Sequence, residues 1–257
     1  MAERANHRQQ EILDALRRAG GSLRVNAIAR ELEVSEETVR RNIRHLSDQG
    51  IVEKVHGGAR LAAPEAETAF HDRLRENPDA KRRIARHVAA MIPDGASLFL
   101  DVGSTTSFIA DALRDHAQLL IVTNSVSVAY KLSTRNENRV FMAGGELRGH
   151  DGGAFGVDAM AFAESFRTDF AILSAVGITA QAGFMLFDLA EARFSRLIMR
   201  QARTRIIAAD ASKFGRVAPI TITDPAAVDY LVCDAPPPDD IAAAAQGWGT
   251  RIEVAGA

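Results

Sequence analysis

Between residues 98 and 254, short apolar runs return at intervals, and stretches of helical spacing separate them. The runs cover 98–100, 119–122, 140–142, 170–173, 206–209, 231–233 and 252–254. None alternates strictly between apolar and polar residues, so both faces of each strand must be covered. Such runs interleaved with helices predict an α/β domain built on a mostly parallel sheet. In sheets of that kind ligands bind beyond the carboxyl ends of the strands. A chain of 257 residues with 47% hydrophobic content has room for that domain and a second, smaller one.

The first run opens the most informative stretch, LFLDVGSTTSFIADAL at residues 98–113. Its order is strand, polar turn, then helical spacing at Phe108, Ile109, Ala112 and Leu113. A helix N-terminus offers free backbone N–H groups and partial positive charge, which suit an anion. Gly103 permits close backbone approach, while Ser104, Thr105 and Thr106 add hydroxyl donors. The turn reads either as a phosphate cradle or as an ordinary capped strand-to-helix turn. Other polar residues fall after the later strands: Thr123, Asn124 and Ser125; Gly144, Gly145, Glu146, Leu147 and Arg148; Gly177; and Asp210, Ser212 and Lys213. With Asp101 they converge on one edge if the strands are parallel. Hydroxyls, glycine turns and a cation suit a phosphorylated polyol better than an apolar ligand.

The first sixty residues have a different pattern. Ile12, Leu13 and Leu16 mark one helical face, and residues 27–32 a second helix. Ser35 with Glu36 and Glu37 is a capped helix start. The third helix turns Val39, Ile43 and Leu46 inward, leaving Arg40, Arg41, Arg44 and His45 mostly outward. A strand at 51–56 and the pair Gly57, Gly58 complete a winged helix-turn-helix order. The helix after the turn would enter the major groove. The candidate DNA contacts are Ser35, Glu36, Thr38, Arg40, Arg41, Asn42, Arg44, His45 and His56. The same spacing also fits a helical module with a solvated charged face. Residues 1–60 hold 11 Lys+Arg against 9 Asp+Glu, net +2, and the remainder carries net −4. That asymmetry permits contact with nucleic acid at this end. Residues 61–80, with Pro64 and Pro78, read as a linker, so the expected division is 1–60, 61–80 and 81–257.

Several of these segments resemble the DeoR family of transcriptional repressors. In the N-terminal module they are VSEETVRRNI from Val34, with Leu46, Gly50, His56, Gly57, Gly58 and Ala59. In the C-terminal half they are residues 100–106, 122–125, 144–148, Asp169 with Phe170, Glu191 with Ala192, and 210–215. The family's sensor domain is similar in fold to ribose-5-phosphate isomerases and coenzyme A transferases; in the isomerases the matching turn holds a substrate phosphate. The resemblance implies a repressor, not an enzyme, released from double-stranded operator DNA by a phosphorylated metabolite. It implies effector contacts at Asp101, Gly103, Ser104, Thr105, Thr106, Asn124, Ser125, Gly145, Arg148, Gly177, Glu191 and Lys213. Within the family, Phe70 to Arg73, Leu147 with Arg148, residues 151–153, residues 184–188 and residues 235–237 point to glycerol 3-phosphate as effector. Genes of glycerol uptake and catabolism would be the targets, with another sugar phosphate as the alternative, or a sugar-phosphate isomerase. A homo-oligomer, dimer or tetramer, is expected, since one winged module offers limited contact area. Two positions depart from the family pattern: Asn42, where an acid is usual, and Ser195, where Lys is common, so that either Arg193 or Arg196 supplies the charge or the ligand differs.

Other chemistry finds little support. The single Cys233 excludes an intrachain disulfide and argues against a cysteine metal cluster. His150 and Asp151 are too few for a metal site. Glu164, Asp169, Asp188 and Glu191 read as acidic surface residues, Trp248 as packing, and the arginines at 193, 196, 200, 203 and 205 as a solvated or subunit-facing run. No catalytic residue and no cofactor are expected. No apolar run approaches 18 residues and no signal peptide is apparent, so a cytosolic protein is expected.

Overall fold

The computed structural model describes residues 7–19, 22–49, 51–55, 57–61 and 70–256. It divides into two compact units, one of the N-terminal elements together with Gly215–Ala218 and one of the remaining elements from Phe70 on.

The N-terminal unit contains α1 (His7–Arg18), β1 (Ser22–Arg24), α2 (Val25–Glu31), α3 (Glu36–Asp48), β2 (Val52–Val55) and β3 (Gly58–Leu61). The three strands form an antiparallel sheet in the order β1-β3-β2. Ile12, Leu16, Ile28, Val39, Leu46 and Val52 bury their side chains together. Helix α3 starts where the sequence directs it: the Ser35 hydroxyl accepts from Thr38 N at 3.2 Å, and Glu36 and Glu37 lie in the first turn. The α2–α3 turn needs Glu33 at φ 52, a left-handed value.

The larger unit begins with α4 (Phe70–Arg75) and α5 (Pro78–Ala90). Residues expected to be linker are therefore helical from Phe70, and the helix expected at Lys81 starts at Pro78. Proline suits the first helical position because its missing N–H would have no partner there. There follow β4 (Ser97–Leu100), α6 (Ser104–Ala112), β5 (Leu120–Thr123), α7 (Val126–Leu132), β6 (Arg139–Met142), α8 (Val157–Glu164) and β7 (Thr168–Leu173). Next come β8 (Gly177–Thr179), β9 (Gly183–Leu186), α9 (Leu189–Arg200), β10 (Ala202–Ala208), β11 (Ile220–Thr221), β12 (Tyr230–Cys233), α10 (Asp239–Trp248) and β13 (Arg251–Val254).

Seven strands form one sheet in the order β13-β12-β10-β7-β4-β5-β6, and every described pair in it is parallel. All seven apolar runs of the sequence are strands of this sheet. The core lies on both faces: Phe99, Val122, Ala171, Leu173, Ile207 and Leu231 face one cluster, and Leu98, Leu100, Ile121, Ile172, Ile206 and Val232 the other. The smaller antiparallel sheet, β11-β9-β8, is not expected from the sequence. Its strands are too short to show a period. Trp248 packs edge-on against Phe184, ring centroids 5.8 Å apart. Cys233 is fully buried, and burial pushes its thiol up to about 11. Among the described residues no helix is long and apolar enough to cross a membrane.

The chain runs β4, β5, β6 toward one edge of the sheet and then returns to place β7, β10, β12 and β13 on the other side of β4. The order therefore reverses between β4 and β7, and a crevice opens at such a point.

Candidate functional site

Helix α3 exposes Arg40, Arg41, Arg44 and His45, while Val39, Ile43 and Leu46 are buried. Arg40 pairs with Glu36 at 2.5 Å and Arg44 with Glu37 at 3.7 Å, all four side chains substantially exposed. Among the described residues no ion pair holds Arg41. Ser35 and Glu36 are exposed at the N-terminus and Thr38 is half-buried. Asn42 departs from expectation. It is buried and its Nδ2 donates to Thr38 O at 2.9 Å, so it lies on the inward side of α3 rather than on the charged face. A neutral side chain there avoids the desolvation penalty that an acid would incur. His56 lies outside the described residues.

In the larger unit the turn at 103–106 sits at the reversal point. Asp101 N donates to Ile172 O on β7 at 3.1 Å, which extends the pairing of the two central strands past the end of β4. Gly103 has φ 157 and ψ 159, a combination essentially confined to glycine. A Cβ there would come within 2.5 Å of Ser174 Oγ. The Thr106 hydroxyl donates to Gly103 O at 3.0 Å and closes the turn. Among the described residues no partner is bonded to the hydroxyls of Ser104 and Thr105. The first N–H groups of α6 have no acceptor within their own helix.

Beneath the turn, Asn124 is fully buried; its Oδ1 accepts from Val102 N at 3.0 Å. Its Nδ2 is a buried donor without a hydrogen-bond partner, and such groups are rare in folded proteins. Asp101 accepts from Val102 N at 2.8 Å and from the Ser195 hydroxyl at 3.0 Å. Burial pushes its carboxyl up to about 6, against the Val102 amide and Ser195 hydroxyl that favour the anion. The Ser125 side chain accepts from Val128 N and caps α7.

The loop after β6 folds back over the end of β5. Ala154 N donates to Asn124 O at 2.9 Å and Arg148 N to Gly153 O at 2.8 Å. This places Arg148 among three carboxylates: bonded to Asp151, at 2.7 Å from Glu191, and at 3.5 Å from Asp188. Its guanidinium also lies 4.3 Å from the centroid of the Phe155 ring. Burial works against the cation, yet the bonds to Asp151 and Glu191 outweigh it and raise its pKa. Asp151 is likewise penalised by burial, and Arg148 holds its carboxyl below the usual range. Glu191, read from the sequence both as a default surface acid and as an effector contact, is therefore tied into a buried network, while Asp188, expected as a surface acid, is half-exposed at its margin and caps α9.

Lys213 is buried after β10 in a second group with Asp210 and Lys81. Gly145, at φ 118, is exposed in the loop after β6. Gly177 is not in a loop at the strand ends. It is the first residue of β8, opposite Met185, and the residue that approaches the turn from β7 is Ser174. Nor does either nearby arginine replace a charge at Ser195: Arg193 is exposed, and Arg196 donates to the carbonyls of Thr221 and Ile222. The arginine run is likewise not one face, because Arg205 makes a two-pronged bond to Asp229. Sequence reasoning misses Ser174, and it names Asp151 without pairing it with Arg148. Asp151 alone carries a signal, lying three residues from Arg148.

A family model described as the DeoR C terminal sensor domain matches residues 76–235. A second, the DeoR-like helix-turn-helix domain, matches residues 8–65. The glycerol-3-phosphate regulon repressor of Escherichia coli (strain K12) is 39% identical over 218 residues, 85% of this chain and 86% of that one. The HTH-type transcriptional repressor CsqR of the same organism is 38% identical over 218 residues, 85% of this chain and 84% of that one. A solved ribose 5-phosphate isomerase from Methanocaldococcus jannaschii overlays with TM-score 0.40 and 15% identity, over 54% of this chain and 55% of that one.

Proposed function

Because the chain belongs to the DeoR family and is a transcriptional repressor rather than an enzyme, we propose that a phosphorylated metabolite at the sheet edge releases it from operator DNA. The N-terminal end of α3 enters the major groove, with Arg40, Arg41 and Arg44 on phosphates and guanine edges. Residues 1–60 act as the DNA-binding domain and 81–257 as the sensor. The protein works in the cytoplasm as a homo-oligomer, a dimer or tetramer, so that two winged modules span repeated half-sites.

The effector phosphate rests on the amides and hydroxyls at 103–106, and the metabolite's hydroxyls meet Asn124 and Asp101. Ser125, Gly145, Arg148, Glu191 and Lys213 frame the remainder. The buried, unpartnered Nδ2 of Asn124 beneath this turn carries the reading, because it lacks only an acceptor. The likeness to a glycerol-3-phosphate regulon repressor makes glycerol 3-phosphate the effector of choice and glycerol uptake and catabolism genes the targets.

Operator affinity measured with and without glycerol 3-phosphate tests this. Coupling of ~1–3 kcal/mol, about 5–150-fold weaker DNA binding, is expected. If no metabolite phosphate changes the affinity, the proposal fails. A second reading, a larger sugar phosphate, draws on Ser195, whose small hydroxyl bonds Asp101 and puts no cation on that wall of the site. A melting-temperature panel of phosphorylated polyols and sugars separates the two, since the true ligand stabilises by mass action.

A further inference from the structure

Helices α5 and α6 pack side by side on one face of the large sheet, and a groove of about 730 Å³ lies between them. Its lining follows the helix period. Asp79, Arg82, Arg83 and Arg86 recur at spacings of three and four on α5, and Phe108, Asp111 and Ala112 do so on α6. Ile84, Val88, Ile109 and Ala110 of the same helices are buried in the core. The groove is separate from the proposed effector edge: no residue of the 103–106 turn lines it, nor do Asn124 and Arg148.

Three features define the ligand this groove suits. The first is the arginine stripe. Arg82 and Arg86 stand four residues apart on α5, where like charges repel, so the stripe weakens the helix unless an anion covers it. Asp79 pairs with Arg82 at 2.5 Å and Asp234 with Arg83 at 3.2 Å. Arg86 is exposed, and among the described residues no carboxylate pairs with it. The second is Phe108, half-buried against the core, with the Arg82 guanidinium 5.8 Å from its ring centroid. Aromatic rings and guanidinium planes are the surfaces on which nucleobases stack. The third is Asp111, half-exposed on the facing helix. Its Oδ2 accepts from Lys131 Nζ at 2.7 Å, and its other oxygen is an acceptor of the kind that a sugar hydroxyl donates to.

We propose that the α5–α6 groove is a second ligand site and takes a nucleoside monophosphate, with the phosphate on Arg86, the base against Phe108 and the ribose hydroxyls on Asp111. The arginine fork suits a phosphate, which it can hold by two bonds at once. The volume falls among those of small-molecule sites, about 300–1,000 Å³. A single phosphate fits better than a nucleic-acid strand. Aspartates stand on both walls, Asp79 on α5 and Asp111 on α6, and a continuous run of phosphates would meet both. One phosphate at Arg86 meets neither.

The test is titration calorimetry on the full chain with adenosine, guanosine, cytidine and uridine 5′-monophosphates in turn. Inorganic phosphate, adenosine and a short single-stranded oligonucleotide are the comparison probes. At least one monophosphate should bind with a dissociation constant below about 1 mM, and about tenfold or more tightly than inorganic phosphate or adenosine. Arg86→Glu, an exposed change, should weaken it by more than about tenfold. Phe108→Leu, which keeps an apolar side chain against the core and removes the ring, should weaken it by about tenfold. Where Phe108→Leu does not fold, Arg86→Glu decides alone. The proposal is overturned if no monophosphate binds below about 1 mM, if inorganic phosphate binds as well, or if Arg86→Glu keeps the wild-type affinity. A loss in Thr105→Val but not in Arg86→Glu would put the nucleotide on the 103–106 turn and overturn it too. So would an oligonucleotide that binds more tightly than every monophosphate and is lost in Arg86→Glu. If Arg86→Glu changes the oligomeric mass by light scattering and no nucleotide binds the wild type, the groove is a contact between copies of the chain and the proposal fails.

Discussion

The outer face of α3 and the carboxyl edge of the large sheet both gather polar and charged side chains, but they hold them differently. On α3 the partners are one turn apart and exposed, as with Arg40 and Glu36. At the sheet edge they are buried and far apart in the chain: Ser195 with Asp101, Glu191 with Arg148, Asn124 with Val102. Exposed pairs are worth about 0–1 kcal/mol, so their cations can be surrendered to phosphates at little cost. Buried pairs cannot be broken so cheaply. The proposed DNA face can therefore adapt to a partner, whereas the proposed effector edge is shaped in advance.

The largest effect that would break this contrast is at Arg148. Arg148→Met leaves the Asp151 and Glu191 carboxylates buried without their cation and should cost about 3–5 kcal/mol in urea unfolding. A cost as small as that of an exposed pair would put the network on the wrong side of the comparison. Gly103→Ala should follow at ~2–3 kcal/mol, since it meets both the glycine-only backbone and the Ser174 hydroxyl. Next comes Arg41→Ala, expected to weaken operator binding by ~1–3 kcal/mol and to leave the melting point and the effector-induced shift in place.

The pH dependence sharpens the contrast further. The Asp101 carboxyl is raised from 3.8 to about 6 in the folded chain, so the native state binds its proton more tightly than the unfolded state does. Its contribution therefore falls as pH rises from 3.8 to about 6. Asp101→Asn should remove that slope, a difference on the order of 2 kcal/mol by denaturant titration at the two ends of the window. Asp151 has the opposite sign: its carboxyl is lowered, and its stabilisation is lost only on acidification below its ordinary value. The smallest effect is Arg40→Ala on folding, within about 0.5 kcal/mol because the Glu36 pair is exposed.

The same contrast explains which features the amino-acid sequence makes legible. The start of α3, its inward and outward faces, and the seven parallel strands follow from patterns a few residues long, and the sequence displays them directly. The turn at 103–106 is legible for the same reason, because strand, glycine and helix are contiguous. The partners of that turn are not. Asn124 is read from the sequence as an effector contact, but Ser174 and Ser195 are not placed at the turn, and only the strand order brings them to it. Asp188 looks like a solvated acid, and Glu191 enters as an effector contact through the resemblance alone, because nothing near them in sequence announces Arg148. The short strands β8, β9 and β11 leave no mark, because two to four residues cannot establish a period.

Cys233 lies wholly inside the sheet with its thiol pushed up to about 11, and the sequence holds no other cysteine. Almost no thiolate forms near neutrality, and what forms is shielded from solvent. Alkylating dyes should therefore leave the native chain unlabelled. One engineered cysteine at an exposed position such as Tyr130 would then be a unique chemical handle, and fluorescence from it could follow the sensor unit without first removing a natural residue.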